Sequence, residues 1–283
     1  MTSALIVTAD DFGRSREVNA AVVLALRAGV LTSASLMVTG DASDEAVAIA
    51  RAHPELAVGL HAVVTDAAPA LPAHSIPHLI DARGRLRRSA AAQGLQLALR
   101  RAARDEVARE LAAQFARFAA TGLPLAHVDG HHHLHVHPAV LDRLIPLALA
   151  HGARGIRIPA DDAVLALRHD RRRLATKLVW AIAFGLLARR ARRRLRGLPL
   201  VRCARVYGLL QTGDMNERYV LRVVASLAGA AEIYFHPSTQ ARGEPLGPNP
   251  TDLRALLDPA VRAAIAARAL RLVSYPVLGA EAR

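Results

Sequence analysis

The chain has 283 residues, enough to bury a substantial core either as one large α/β domain or as a domain with an insertion. A hydrophobic content of 52% is typical of a globular protein, and the single cysteine, Cys203, excludes an internal disulfide framework. The net charge of +13 is concentrated, because residues 168–205 carry 13 Lys/Arg residues against one acid, Asp170.

Strand and helix patterns alternate along the chain. Short apolar runs predict strands at residues 4–8, 33–40, 56–61, 125–128, 155–159, 204–210, 231–237 and 270–275. Helical periodicity predicts helices at residues 18–28, 44–52, 101–120, 139–150, 216–227 and 251–267. Residues 65–88 contain three prolines and Gly84, which predicts a long loop and leaves open whether it is a lid.

This alternation predicts a single α/β domain over residues 1–283, arranged as a distorted (β/α) barrel of about seven or eight strands. Residues 161–200 are predicted to be a basic helical insertion with an apolar centre. An open doubly wound sheet is the alternative that the same pattern allows. The N-terminal segment lacks the features of a secretory signal, which together with the single cysteine predicts a cytoplasmic protein.

Acidic and histidine side chains stand at the ends of three predicted strands. Asp10 and Asp11 follow the first strand, His61 closes the strand at residues 56–61, and the run "HVDGHHHLHVHP" continues the strand at residues 125–128. The carboxyl ends of barrel strands meet at one face, where such enzymes build their active sites. Carboxylate and imidazole groups together are suitable ligands for a hydrolytic divalent metal. These positions therefore predict a metal-dependent hydrolase.

The histidine run is internal and interleaved with Leu134 and Val136, so it differs from a terminal purification tag. If the run is extended, strand alternation places His131, His133 and His135 on one face. A hydrolytic site needs about three protein ligands and a water, so only some of these histidines are expected to bind metal.

Five segments in this order, "TADDFG", "GLH", "HVDGHHHLHVHP", "GIRIP" and "YFHP", resemble those of the YdjC/ChbG family of carbohydrate deacetylases. The segments "TSASLMVTG", "RVYGLLQTGDM" and "EIYFHPST" are most similar to the HpnK proteins associated with hopanoid biosynthesis. The resemblance covers almost the whole chain. It implies a distorted (β/α) barrel that hydrolyses the N-acetyl group of an amino sugar. The HpnK-type similarity further implies an N-acetylglucosaminyl hopanoid, such as N-acetylglucosaminyl bacteriohopanetetrol, as the substrate.

The resemblance also assigns roles to residues of this chain. It implies that Asp11, His61 and His131 bind one divalent metal ion, with Asp10 beside them as the general base. Because two histidines and one aspartate suit more than one metal, zinc, magnesium, nickel and cobalt all stay open. The oligomeric state is equally open, a homo-oligomer included.

Three further positions, Asp129, Arg157 and His236, fall in the remaining family motifs. We expect Arg157 to hold Asp10 ionised through its positive charge, and His236 to protonate the leaving amine as the general acid. The residues expected to bind substrate are Asp129, His133 and His135.

The basic segment contains the uncharged apolar stretch "LVWAIAFGLLA" at residues 178–188, which is too short to span a bilayer. One interpretation is a buried barrel helix with solvated basic ends. The interpretation that we favour is an interfacial helix on the inner face of the cytoplasmic membrane, whose arginines meet anionic lipid. The residues expected at the membrane surface are Arg171, Arg172, Arg173, Trp180, Phe184, Arg189 and Arg190.

Three other functions are compatible with parts of the sequence. The first is deacetylation of soluble chitooligosaccharides, and the second is metal-dependent phosphoester hydrolysis at the same ligands. The third is nucleic-acid binding through the arginines, which we do not expect because it leaves the strand-end histidines unexplained and lacks interleaved aromatic residues.

Overall fold

Parallel strands form one curled sheet, a half-barrel flanked by helices. The computed structural model describes residues 3–241 and 243–281. The strands are β1 (Ala4–Phe12), β2 (Ser33–Leu36), β3 (Ala57–Ala62), β4 (His127–Gly130), β5 (Gly155–Ile156), β6 (Arg205–Tyr207), β7 (Ala230–Phe235) and β8 (Arg271–Leu272). Seven of them follow the order β5-β4-β3-β2-β1-β7-β6, and β8 pairs with the start of β1. This arrangement confirms the predicted α/β domain.

The helices connect and cover these strands. They are α1 (Arg16–Ala28), α2 (Ser43–Ala52), α3 (Ala90–Leu99), α4 (Arg101–Ala120), α5 (Pro138–Ala150), α6 (Ala163–His169), α7 (Leu174–Arg194), α8 (Glu217–Ser226), α9 (Pro250–Leu257), α10 (Pro259–Ala267) and α11 (Tyr275–Glu281). Short 3-10 turns cover Ala73–Ser75 and His131–Val136. None of the helices within the described ranges is long and apolar enough to cross a membrane.

The central position of β1 explains its apolar composition. All nine of its residues are buried, since β1 lies between β2 and β7 and is covered on both faces. The two ends of the curled sheet approach each other, and Val206 N donates to Ala160 O at 3.4 Å. The carboxyl ends of the strands therefore surround a single face of the domain.

The helix predictions differ from the structure in three places. Residues 251–267 form two helices because Pro259 begins the second one, and the Asp258 side chain caps it by accepting from Ala260 N. Helices α3 and α11 were not predicted. Helix α3 begins at a serine cap, Ser89, and is separated from α4 by the extended backbone of Arg100.

The loop at residues 65–88 is held against helix α4. The buried carboxylate of Glu110 accepts backbone hydrogen bonds from Ala70 N at 2.7 Å and from Leu71 N at 3.0 Å. Glu106 in the same helix accepts from His78 N at 2.8 Å. Buried amide groups need such acceptors, because an unpaired one costs about 1–3 kcal/mol. The loop is thus a docked part of the domain in this structure.

The insertion between β5 and β6 contains α6 and α7. Within α7 only Lys177, Ala188 and Ala191 are buried. The interpretation of this segment as a buried barrel helix is therefore wrong.

Replacing Glu110 by alanine should lower the free energy of unfolding by about 2 kcal/mol, because two loop amides lose their acceptor. The change can be measured by urea denaturation. The matched control is Asp105→Ala in the same helix, whose carboxylate is exposed and makes only long ion pairs with Arg101 and Arg143. We expect this control to change stability by less than about 0.5 kcal/mol. Equal effects of the two substitutions would contradict the anchoring role of Glu110.

Candidate metal centre

Three side chains from the ends of β1, β3 and β4 converge at the face where the strands end. Asp11 Oδ1 lies 3.0 Å from His131 Nδ1 and 3.5 Å from His61 Nε2. All three residues are buried, and one ligand atom from each lies within 4.8 Å of the others. The structure thus brings together the three residues that the sequence predicted as metal ligands.

The end of β1 separates its two carboxylates. The pairing of β1 with β2 changes register between Ala9 and Phe12, and Asp11 adopts a left-handed backbone with φ of 63°. Gly13 follows with φ of 88°, a value that glycine adopts without strain. As a result Asp10 faces Arg157, whereas Asp11 faces the two histidines.

The histidine run is not extended, so the prediction that its alternate residues share one face is wrong. It forms a 3-10 turn in which His132 and His133 have left-handed backbones, with φ of 50° and 55°. The buried histidines consequently point to different partners. His131 reaches Asp11, His133 Nε2 lies 2.7 Å from the Tyr234 hydroxyl, and His135 Nε2 lies 2.9 Å from a backbone carbonyl oxygen.

The donor set fits one divalent cation. His61 Nδ1 lies 2.8 Å from Asp129 Oδ1, to which it can donate, and this directs Nε2 towards Asp11 as the nitrogen available to a metal. Within the described residues, Asp11 Oδ1 and His61 Nε2 are buried without a hydrogen bond and lie 3.5 Å from each other, and Asp11 Oδ1 lies 3.0 Å from His131 Nδ1. Buried polar atoms normally have partners, so unpartnered atoms that converge suggest an ion. One carboxylate and two imidazoles suit zinc and several other divalent metals.

A second grouping, Asp66 with His131 and His132, also places ligand atoms within 4.8 Å of one another. It shares His131 with the first grouping. A neutral imidazole can give one nitrogen lone pair to a metal. The two groupings therefore do not form two independent metal sites.

The buried guanidinium of Arg157 lies next to the centre and pairs with three carboxylates. Arg157 pairs with both oxygens of Asp10 at 2.6 and 2.8 Å, with Asp129 at 2.8 Å and with Glu232 at 2.8 Å. None of the four side chains is exposed to solvent. Glu232, which also accepts from the Tyr275 hydroxyl, was not predicted. Its signal was a single acid within the apolar strand β7.

The centre carries an excess of negative charge. Burial raises the pKa of Asp11, but His131 and Arg14 outweigh burial and hold that pKa well below its usual value. Burial lowers the pKa of His61, yet Asp129, Asp10 and Asp11 together raise it to about 9. A divalent cation at this place would compensate the negative charge and compete with the proton of His61.

Arg14 is a second residue that sequence reasoning missed. Its guanidinium bridges Asp11 Oδ2 at 2.8 Å and Glu244 Oε2 at 2.7 Å. The bridge fixes the outer oxygen of Asp11 and links the end of β1 to the loop that follows β7. Its signal was a basic residue just after the paired carboxylates.

The predicted acid and base lie side by side at the mouth of the centre. His236 Nε2 is 3.9 Å from Asp10 Oδ2, and the His236 side chain is 15% exposed. His236 is thus the more accessible of the two, because Asp10 is fully buried. Its backbone is fixed by a hydrogen bond from His236 N to Asp252 Oδ2 at 2.9 Å.

The residues predicted to bind substrate are instead held in the interior. Asp129 accepts from His61, Ser35 and Arg157, and is fully buried. His135 is buried behind the centre as well. His133 is buried beneath α7, with its ring 5.9 Å from the Phe184 ring. The reason is that the 3-10 turn directs these side chains inward, so their geometry supports a positioning role.

Two residues predicted at a membrane surface also differ from that expectation. Trp180 and Phe184, one helical turn apart, are partly buried on the face of α7 that packs against the domain. The predicted arginines, Arg171, Arg172, Arg173, Arg189 and Arg190, are all exposed. Arg172 pairs with Asp170 and Asp214, and Arg190 pairs with Asp142.

Comparison with known proteins relates this site to one family. Residues 4–267 match the family described as YdjC-like protein. A chitooligosaccharide deacetylase of Serratia marcescens is 31% identical over 285 residues, which cover 97% of this chain and 99% of that protein. Carbohydrate deacetylases of Brevibacillus brevis and Geobacillus stearothermophilus are 47% and 39% identical, over 51% and 56% of this chain. Those matches span 55% and 64% of the two relatives' own lengths.

A solved structure shares the fold. It belongs to a protein of Enterococcus faecalis to which cellobiose-phosphate cleavage was provisionally assigned. The two structures superpose with a TM-score of 0.76 over 98% of this chain and 99% of that one, at 23% identity. At this identity the likeness establishes the architecture alone.

Zinc affinity of the full chain should rise with pH up to about 9, because a metal must displace the proton that His61 holds below that pKa. Competition with a chelator should show this rise between about pH 6, near the ordinary pKa of histidine, and about pH 8.5, just below the raised pKa of His61. At the upper pH, Asp129→Asn should weaken zinc binding about tenfold or more, because His61 loses its orienting carboxylate. His53→Asn, which removes a surface histidine paired with Glu55, is the control and should change nothing. Affinity that is independent of pH would contradict the assignment of His61.

Proposed function

The chain belongs to the YdjC-like family, and we propose that it is a hydrolase that removes the acetyl group from an N-acetylated amino sugar with one divalent metal ion. The observation that carries this proposal is that a possible metal-ligand set lies next to a possible general base. A buried set of one carboxylate and two imidazoles lies beside a carboxylate that is already paired with arginine. The first can hold a metal, and the second can accept a proton from water.

The residues divide the reaction between them. Asp11, His61 and His131 would hold the ion, which would act as a Lewis acid towards the acetyl carbonyl and make water more acidic. Asp10 accepts the proton of the attacking water, and Arg157 orients it through both carboxylate oxygens. His236 donates a proton to the amide nitrogen as the C–N bond breaks. The acyl carbon, now bonded to the water oxygen, leaves as acetate, and the protonated nitrogen leaves as the free amine of the sugar.

Amide hydrolysis accounts for the site better than phosphoester hydrolysis. Two-metal phosphoesterases hold their ions about 3.5–4 Å apart. Within the described residues, each further grouping of possible ligands shares a histidine with the first, either His131 or His61, and one neutral imidazole offers a lone pair to one metal only. Assaying one N-acetylated and one phosphorylated sugar with the metal-loaded protein separates the two reactions, and turnover of the phosphorylated sugar alone would replace the present proposal.

Replacing Asp10 by asparagine should lower turnover about 100-fold or more while leaving the metal bound, because the base is lost but the ligands remain. Deacetylation rate and metal content are measured on the same preparation. Thermal unfolding serves as a control, since Arg157 keeps two other carboxylate partners, Asp129 and Glu232. Retained activity in a folded, metal-loaded variant would remove Asp10 from the mechanism.

The amino sugar could be part of a soluble oligosaccharide or be attached to a lipid. The names of the relatives favour soluble chitooligosaccharides at least as strongly as a lipid. The resemblance to HpnK proteins and the exposed surface of α7 favour an N-acetylglucosaminyl hopanoid presented at a membrane. Mass spectrometry of both substrates, with the hopanoid in micelles that contain anionic lipid, compares them directly. Loss of an acetyl group from only one of them identifies the carrier.

The outer face of α7 has the composition of an interfacial helix. Val179, Ile182 and Leu186 are 63%, 67% and 58% exposed, which is unusual for large apolar side chains grouped on one helix. Exposed arginines flank this face at both ends of the helix. Such a face can enter the headgroup region while the arginines meet anionic lipid, at roughly 1 kcal/mol for each charge near the surface. These features support the proposal that the protein binds the inner face of the cytoplasmic membrane.

Changing Val179, Ile182 and Leu186 to serine should weaken binding to phosphatidylglycerol vesicles at least about tenfold, because the apolar face is lost. Flotation at low and high salt measures the binding, which salt should weaken. The matched control is Leu24→Ser, an exposed apolar residue on α1. Equal flotation with neutral and anionic vesicles would count against a membrane role for α7.

A further inference from the structure

A cavity of about 430 Å³ lies between α7 and the segments that adjoin β5 and β6. Its volume is in the range of about 300–1,000 Å³ that is typical of small-molecule sites. The apolar part of its lining includes Ala181, Phe184 and Gly185 of α7 and Leu209 of the segment after β6. The proposed metal ligands, the base and the general acid are not among its lining residues. The cavity is therefore separate from the metal centre.

Helix α7 leaves room for a ligand on this side. A Cβ added to Gly185 would have no neighbour within 4 Å outside its own helix and chain neighbours. Ala181 and Ala188 lie one helical turn before and after Gly185 and also line the cavity. The space thus results from small side chains along one side of the helix. An apolar chain can lie along this side without displacing a larger residue.

Three arginines, Arg189, Arg192 and Arg205, line the same cavity. Arg189 and Arg192 are three residues apart on α7, and Arg205 begins β6. Among the described residues, none of the three forms an ion pair with a carboxylate, whereas the nearby Arg190 and Arg194 both pair with an aspartate of α5. Burial and the positive charges of neighbouring arginines lower the pKa of Arg192. These three side chains therefore form a cluster of positive charge that lacks a counterion.

The one acidic residue of the lining, Asp161, does not neutralise the arginines. Its carboxylate accepts hydrogen bonds from Leu210 N at 2.8 Å, from Asp162 N at 2.8 Å and from Gly208 N at 3.3 Å. Burial raises the pKa of Asp161. Three positive charges thus stand against at most one negative charge, which leaves a net charge of at least +2. A phosphate monoester carries a charge of about −1.5 to −2 near pH 7, and guanidinium groups bind its oxygens through paired hydrogen bonds.

We propose that this cavity binds a lipid phosphate monoester, with the phosphate at the three arginines and the apolar chain along the small side chains of α7. The inference goes beyond the proposed function, because the ligand is not the amino sugar and the site shares no residue with the metal centre. It also differs from adsorption to a membrane, which uses Val179, Ile182 and Leu186 on the outer face of the same helix.

Calorimetric titration of the full chain with octyl phosphate, at concentrations at which the ligand is monomeric, tests the site. We expect saturable binding of one molecule per chain, at least about tenfold tighter than the binding of inorganic phosphate or of 1-octanol, because each of these lacks one half of the ligand. Equal affinity for octyl phosphate and inorganic phosphate would overturn the lipid assignment. Tighter binding of octanoate would overturn the assignment to a phosphate, and no binding of octyl phosphate would overturn the site itself.

Two substitutions place the binding in this cavity. Gly185→Leu should weaken octyl phosphate binding at least about tenfold by filling the cavity, without harming the helix, since leucine is a better helix former than glycine. Its matched control is Ala183→Leu, which adds the same side chain at an exposed position of α7. Arg189→Gln should weaken binding about fivefold or more, whereas the control Arg193→Gln, also exposed on α7 but outside the lining, should not. Wild-type affinity in a folded Gly185→Leu variant would contradict the proposal.

A last comparison separates this site from the other proposals. The variant with serine at positions 179, 182 and 186 should bind octyl phosphate within about twofold of the wild-type affinity, because those side chains face solvent. Loss of binding in this variant would show that the ligand adsorbs to the outer face, and would overturn the cavity site. The titration needs neither metal nor turnover. A chain that binds octyl phosphate but deacetylates no sugar would therefore contradict the proposed function and support this one.

Discussion

The buried guanidinium of Arg157 is the interaction on which the rest of the site depends. It contacts carboxylates from β1, β4 and β7, and β4 and β7 lie on opposite sides of β1 in the strand order of the sheet. The Arg157 charge has no exposed surface, and a buried charge is tolerated only when it is paired, because leaving it uncompensated costs about 3–5 kcal/mol. Arg157 therefore fixes Asp10 and Asp129 together. Through Asp129 it also fixes the ring of His61, so the proposed metal ligand His61 and the proposed base Asp10 share one support.

The same centre shows how tertiary contacts impose unusual backbone geometry. Asp11, His132 and His133 have positive φ values, which cost on the order of 1 kcal/mol each for residues other than glycine. Each lies within one residue of a strand end or in the turn that follows. The strain separates Asp10 from Asp11 and sends successive histidines to different partners. An unstrained strand continuation would have placed these groups on alternate faces of the sheet and left the metal ligands apart.

Local patterns were enough to predict the strands, the single α/β domain, and the convergence of Asp11 and His61, because both residues close apolar runs whose ends must meet. The path of the histidine run could not be predicted, since its left-handed residues are stabilised by contacts distant in sequence. Glu232 was missed because one acid in a strand acquires meaning only from its partner, Arg157. The direction of Trp180 was missed for a related reason. An apolar stretch with arginines at both ends does not reveal which helical face meets the domain.

The proposed metal ligands and proton-transfer residues come from β1, β3, β4, β7 or their adjoining turns. Arg157, which orients Asp10, follows β5. The segment that contains α6 and α7 leaves the sheet after β5 and returns at β6, between these positions in the chain. Its sequence can therefore diverge in length, charge and hydropathy without moving the reacting groups. The strand-end residues and the insertion can therefore change independently of each other. Exchange of this insertion between relatives would leave the strand-end residues in place, and engineered chimeras could exploit the same boundary.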